Sequence, residues 1–182
     1  VMAKISPERC GGLPLSVLLR YRTIKEWLHF NGMLEQKYLS NRNVKYETEI
    51  IKSMQYVTGR TDWDKYYMQS INPDIKYFRC YYDLREEFYH APKWNIDNVN
   101  RNTIYAAGSA QAPMKGGHIV IEALSLVKRE IPNVKAIFLA SKQENGKLVP
   151  TNGYTKYIAD LIKKYNLEDN VEFVSGQRGD GV

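Results

Sequence analysis

The chain has 182 residues, 43% hydrophobic and 25% charged, with a net charge of +6, the make-up of an ordinary globular protein. No apolar run is long enough to read as a bilayer span, and the first residues lack the apolar stretch of a secretory signal. The charge does not argue for nucleic acid: residues 1–92 hold 14 basic and 11 acidic side chains and residues 93–182 hold 12 and 9, so each half carries +3, without the stripe or tail that a nucleic-acid groove concentrates.

Two cysteines, Cys10 and Cys80, make neither a disulfide framework nor a zinc spacing. They read as reduced thiols of a cytoplasmic protein. His29, His90 and His118 stand too far apart in sequence to suggest a metal cluster. Val1 precedes Met2, which reads as a frame entered partway along. The 14 tyrosines, several in paired runs such as Tyr66-Tyr67 and Tyr81-Tyr82, are assigned to core and interface packing ahead of base stacking.

In chain order, Pro14 suits a helix start, and Leu15, Leu18, Leu19, Ile24, Trp27 and Leu28 recur at helical intervals until Asn31-Gly32 breaks the pattern. A second, richly charged helix follows from about Leu34 to Met54. Tyr56-Val57, ending at Gly59, reads as a buried strand. The next helix starts behind Thr61 and stops at Asn72-Pro73, and Lys76 to Cys80 reads as another strand.

The polar, Asn-rich stretch from His90 to Asn102 is the expected domain boundary, which divides the chain into 1–92 and 93–182. Beyond it come a strand at 103–107, a small-residue loop from Gly108 to Gly117, a helix at 118–130 and a strand at 134–140. Gly146 and Asn152-Gly153 mark a loop. An amphipathic helix then carries Tyr154, Tyr157, Ile158, Leu161, Ile162 and Tyr165, followed by a strand at 171–174. This is β-loop-α-β-α-β, an α/β pattern with a parallel sheet and a little over half of a doubly wound domain.

The loop Gly108-Ser109-Ala110-Gln111-Ala112-Pro113-Met114-Lys115-Gly116-Gly117 follows the first strand of that unit, where the sheet edge faces a ligand crevice. Small residues let backbone N–H groups approach a phosphate, the next helix N-terminus favours negative charge, and Lys115 adds a cation. The alternative is an ordinary βα loop with a surface lysine, since neither G-x-G-x-x-G nor a Walker pattern is present. Asp62-Trp63-Asp64 spells a metal-binding Asp-x-Asp, yet both carboxylates fall in the first turn of a helix, so capping is the preferred reading. Arg178-Gly179-Asp180 is read as a chance tripeptide. No G-x-S-x-G or paired acid/base spacing nominates a catalytic centre.

The order Thr58-Gly59-Arg60-Thr61-Asp62-Trp63-Asp64, Ile71-Asn72-Pro73, Arg79-Cys80, Leu84 to Tyr89, Trp94, Pro113-Met114-Lys115-Gly116 and Asn170 to Gly176 resembles one branch of glycosyltransferase family 4. The resemblance implies an α/β GT-B fold of two Rossmann-like domains, with residues 1–92 closing the acceptor side and 93–182 opening the donor side. It implies sugar transfer from a nucleotide-sugar with retention, to an unknown glycan or lipid acceptor, with no metal or other cofactor. Gly108, Ser109, Lys115 and Gly116 would clamp the donor diphosphate, Ser175 and Gly176 would seat the base, and Arg60 would face the cleft. A cytoplasmic enzyme with peripheral contact at the inner membrane face is compatible with it. Two departures stand out: Ser109 replaces an arginine common in the family, and the family's Glu-x7-Glu element is expected beyond Val182. The chain therefore reads as an internal fragment, inactive by itself, with a non-catalytic nucleotide- or protein-binding module as the alternative.

Overall fold

The computed structural model describes residue 10 and residues 12–106, 112–140 and 142–175. In chain order the elements are α1 (Leu15–Arg20), α2 (Ile24–His29), α3 (Met33–Ser53), β1 (Tyr56–Gly59), α4 (Asp62–Ile71), β2 (Lys76–Arg79), α5 (Glu86–His90), β3 (Thr103–Ala106), α6 (Gly117–Glu130), β4 (Lys135–Ala140), β5 (Gln143–Glu144), β6 (Lys147–Leu148), α7 (Gly153–Lys164) and β7 (Val171–Ser175). The class is mixed α/β with small parallel sheets. Among the described residues no helix is long and apolar enough to cross a membrane.

Two compact units divide the chain. Residues 37–92 form one, and residues 10–36 together with 93–175 form the other. The sequence division at residue 92 assigned residues 10–36 to the first unit. They pack instead with the second, because Cys10, Leu13, Leu18 and Met33 bury into the same apolar cluster as Ile121, Phe138 and Ile158.

In the second unit, β3, β4 and β7 pair in that order, all parallel, with Phe138 beside Ala106 on one side and Phe173 on the other. Strands laid down in sequence order, each return made by a helix, put both crossovers on one face when they share a hand, and α6 and α7 do pack against each other. The strand period of two then sorts β4: Ala136, Phe138 and Ala140 are buried, while Ile137 and Leu139 on the opposite face are half-buried. The amphipathic stripe of α7 supplies Ile158, Leu161 and Ile162 to the core. Asn170 locks the turn before β7, its side-chain amide donating to the carbonyls of Pro132 (3.0 Å) and Val134 (2.7 Å).

Residues 142–148, expected as loop, form the hairpin β5–β6. Asn145 and Gly146 both take positive φ (51° and 75°), the pair of left-handed residues that a two-residue hairpin turn requires. The Gly146 carbonyl accepts from the Phe173 N–H at 2.8 Å, so the hairpin turn caps the free side of β7.

The continuous apolar pattern of residues 15–28 is in fact two helices. Thr23 interrupts it with a capping box: its hydroxyl accepts from the Glu26 N–H (3.2 Å), and Glu26 Oε2 accepts from the Thr23 N–H (2.8 Å) and hydroxyl (2.8 Å). The second oxygen of the same buried carboxylate, Oε1, accepts from the N–H of Gly153 at 2.9 Å, at the start of α7. One anion thus serves two helix N-termini, each of which favours negative charge. Position 153 has to be glycine, since a Cβ there would fall on the Tyr21 carbonyl oxygen. Beside this joint the Tyr21 hydroxyl donates to Asp160 Oδ2 at 2.9 Å, and its ring meets Tyr157 edge-on at 5.1 Å.

In the first unit, β1 and β2 form a β-α-β with α4, running parallel with Val57 beside Tyr77, and most of α3, as well as α5, belongs to the same unit. Thr61 and Asp64 form a capping box, the Asp64 carboxylate accepting from the Thr61 hydroxyl at 2.7 Å. That bond is the chief reason the Asp64 carboxyl is held below its ordinary range. Asp62 pairs with Arg79, so both carboxylates of the Asp-x-Asp tripeptide are engaged within the protein. Asn72 closes the end of α3 by donating to the carbonyls of Ile51 (3.1 Å) and Met54 (2.9 Å). The sequence reading expected a buried strand at Tyr56-Val57; Tyr56 is 59% exposed. Two strands cannot cover both faces of each other, and Ile51 and Ile75 are the buried apolar side chains of this unit among the described residues.

Removing the Glu26 carboxylate leaves the Thr23 and Gly153 N–H groups without their acceptor. Glu26→Ala is expected to lower unfolding stability by about 2–4 kcal/mol in urea. A change below about 0.5 kcal/mol would show that the carboxylate is not the joint between α2 and α7.

Candidate functional site

The three parallel strands end on one edge, at Ala106, Ala140 and Ser175. In open α/β sheets that edge is where ligands bind. The sequence nominated seven residues. Gly108, Ser109 and Gly176 lie outside the described residues. Lys115, Gly116 and Ser175 belong to the second unit and lie at this edge or on the segment that follows it. Arg60 belongs to the first unit, just beyond the end of β1, where its guanidinium sits 4.6 Å from the ring centre of Tyr82.

Pro113, Met114 and Lys115 make one turn of 3-10 helix, and Gly116 then takes the left-handed conformation (φ 73°) that turns the chain into α6. A side chain with a Cβ is strained at that φ, which explains glycine after the lysine. The side chain of Lys115 is exposed and has no hydrogen bond or ion pair among the described residues. Its ammonium is free to meet an anion.

The backbone cradle expected from the same loop is a different matter. The N–H of Lys115 donates to Ala112 (3.0 Å) and that of Gly116 to Pro113 (2.9 Å), while those of Ile119 and Val120 both reach the Gly116 carbonyl (2.9 and 3.1 Å). The N–H of His118 donates to the Tyr154 hydroxyl at 3.2 Å, and that of Gly117 also bonds to it. Residues 115–120 therefore spend their backbone donors inside the protein. The start of α6 therefore offers no free backbone donor for an anion, because the Tyr154 phenol from α7 takes up that of His118, and only the Lys115 side chain is left to meet one.

Tyr154 and His118 are both buried, their rings meeting edge-on, with the hydroxyl 3.1 Å from Nδ1 of His118. Burial pushes the Tyr154 phenol up to about 12, against the smaller pull of the His118 and Gly117 N–H groups. Sequence reading took Tyr154 as one member of an apolar stripe and gave it no polar role. No local signal shows that its partner lies 36 residues back.

Ser175 closes β7 opposite Ala140 and is exposed, its hydroxyl accepting from Gln143 Nε2 at 3.5 Å. Glu122 and Glu130 have the eight-residue spacing of the Glu-x7-Glu element, but both occupy exposed positions in the body and last turn of α6. Among the described residues no group of histidine, cysteine or carboxylate side chains could hold a metal ion.

A cleft of about 300 Å³ opens beside the loop, between residues 23–36, Ala112-Pro113 and the start of α7 at Thr151-Asn152. The sequence read the 23–30 wall as a continuation of one helix and the Asn152 wall as a loop, and gave neither a site role. The signals were present: Thr23-x-x-Glu26 and Asn152-x-x-Thr155 are both capping boxes.

Comparison with protein-family models, curated proteins and solved structures gives no match to this chain.

The buried phenol sets an alkaline limit. A folded-state pKa of about 12 against an ordinary 10 leaves Tyr154's contribution intact below pH 10 and removes it as pH rises toward 12, a loss of up to about 3 kcal/mol. Tyr154→Phe should be less stable at pH 7 by about 1–2 kcal/mol yet lose less between pH 10 and 12. Parallel alkaline unfolding curves for the two proteins would contradict the assignment.

Proposed function

We propose that this chain carries the donor-diphosphate end of a retaining glycosyltransferase with the two-domain, Rossmann-like GT-B architecture. One observation carries the reading: an exposed, unpaired ammonium, Lys115, follows β3 on the edge of a parallel β-α-β-α-β sheet where β7 ends at Ser175. A nucleoside diphosphate gains negative charge as the sugar departs, so a fixed cation there stabilises the transition state more than the ground state. Ser175 then stands at the base end of the donor, and Lys115 at its diphosphate. Under this reading the donor is a nucleotide-sugar, the acceptor is a glycan or lipid, and no metal is needed. The enzyme works in the cytoplasm, with contact at the inner membrane face where the acceptor is a lipid.

A second reading, a non-catalytic module that binds a partner through a sheet edge, is favoured by one feature. The outer side of β3 has no partner strand among the described residues, and an open edge is a template for pairing.

Calorimetric titration with UDP-glucose and GDP-mannose separates the two. The transferase reading expects saturable binding of at least one donor, weakened roughly ten-fold to a hundred-fold by Lys115→Ala, the weight of a charge-assisted hydrogen bond. Lys128→Ala, at the far end of α6, should leave it unchanged. No saturable binding, with concentration-dependent self-association instead, favours the edge-pairing module.

A further inference from the structure

A second hollow, of about 250 Å³, lies where the end of α1 and the turn after it meet one side of α7. Lys156, Asp160 and Lys163 line it from α7, at steps of four and three that share a helix face. Arg20 and Arg22 line it from the other wall, so four cations surround the space against one carboxylate. That carboxylate, Asp160, already accepts from the Tyr21 hydroxyl at 2.9 Å.

Ordinary structural roles explain only part of this gathering. Arg20 and Lys163 stand in the last turns of α1 and α7, where a cation meets the negative end of the helix dipole. Arg22 pairs with Glu35, yet its buried Nε has no acceptor among the described residues. Lys156 is the fourth residue of α7, near the end where the dipole disfavours a cation. Arg20, Lys156 and Lys163 are exposed and make no ion pair or hydrogen bond among the described residues. Like charges brought together repel, and nothing in the packing around them offsets that repulsion. A bound anion would.

Charge and size narrow what fits. The hollow is smaller than most pockets for organic ligands, which favours a compact ion. A carboxylate carries one charge and would leave most of the cations unmet, whereas linked phosphates carry several and accept from guanidinium and ammonium alike. From this we propose that the hollow between α1 and α7 is a phosphate site separate from the Lys115 loop. Lys156 and Lys163 hold the phosphate oxygens from α7, and Arg20 holds them from the end of α1. The phosphates belong either to a soluble polyphosphate or to the headgroups of a lipid surface, which present the same oxygens. No residue of 108–117 or of β7 lines the hollow, so the site stands or falls separately from the donor-diphosphate reading.

Two probes test it on the 182-residue chain: calorimetric titration with inorganic tripolyphosphate, and co-sedimentation with phosphatidylcholine vesicles made with or without phosphatidylglycerol. At least one probe should bind saturably, the vesicles only when phosphatidylglycerol is present. Lys156→Gln and Lys163→Gln should each weaken that binding about ten-fold, the weight of a charge-assisted hydrogen bond. Circular dichroism of the variants should match the wild type. A control pair, Lys45→Gln with Lys135→Gln, removes two charges at exposed positions elsewhere and should leave binding unchanged, as should Lys115→Ala. Tripolyphosphate binding without vesicle binding identifies a soluble polyphosphate as the source. Vesicle binding that the two α7 variants weaken, with or without tripolyphosphate binding, identifies lipid headgroups. Binding of neither probe, equal weakening by the α7 variants and the control pair, or loss of binding in Lys115→Ala would each overturn the site.

Discussion

A single carboxylate joins two helix starts of the second unit. Glu26 gives one oxygen to the Thr23 cap at the head of α2 and the other to the N–H of Gly153 at the head of α7. Glu26 and Gly153 are 127 residues apart along the chain, and closing so long a loop needs contacts that the local sequence cannot supply. Two N-terminal dipoles converging on one anion give the joint an electrostatic preference as well as hydrogen bonds. The glycine at 153 keeps the backbones close enough for it to form. The joint adds to the apolar cluster in which Leu18 and Met33 are buried together with Tyr154 and Ile158.

The same joint determines what the strand-end edge can bind. With residues 23–36 held beside the start of α7, the space next to Pro113 becomes a walled cleft. With α7 held in place, Tyr154 reaches the first turn of α6 and takes up its backbone donors. The edge is therefore asymmetric. The exposed cation of Lys115 stands on one side, and the cleft beside Pro113 stands on the other.

Much of the fold was legible because its periods are strong. The three-four spacing from Tyr154 to Tyr165 is α7, the alternation at Val171–Val174 is β7, and the strand starting at Thr103 and the helix ending at Glu130 stand in the order read. What the sequence hid has physical causes. The apolar pattern of residues 15–28 continues through Thr23, so periodicity masked a capping box that ends one helix and starts another. Asn145-Gly146 carried a hairpin signal, but strands of two residues each are too short to show alternation. The tyrosines were assigned to packing, yet Tyr66, Tyr81 and Tyr82 are at least 65% exposed, since the small first unit has too little interior to bury them. At the candidate site, Lys115 and Gly116 stand where their position after a strand put them. The loss of the backbone cradle to Tyr154 was invisible, because it depends on a contact across 36 residues.

Amide chemical-shift mapping during titration with UDP tests the account most directly, since it reads every position of both units at once. The account predicts that the largest shifts fall at residues 112–120 and at Ser175, on the one edge where the parallel strands end. Shifts confined to residues 37–92, or none at millimolar UDP, would contradict it.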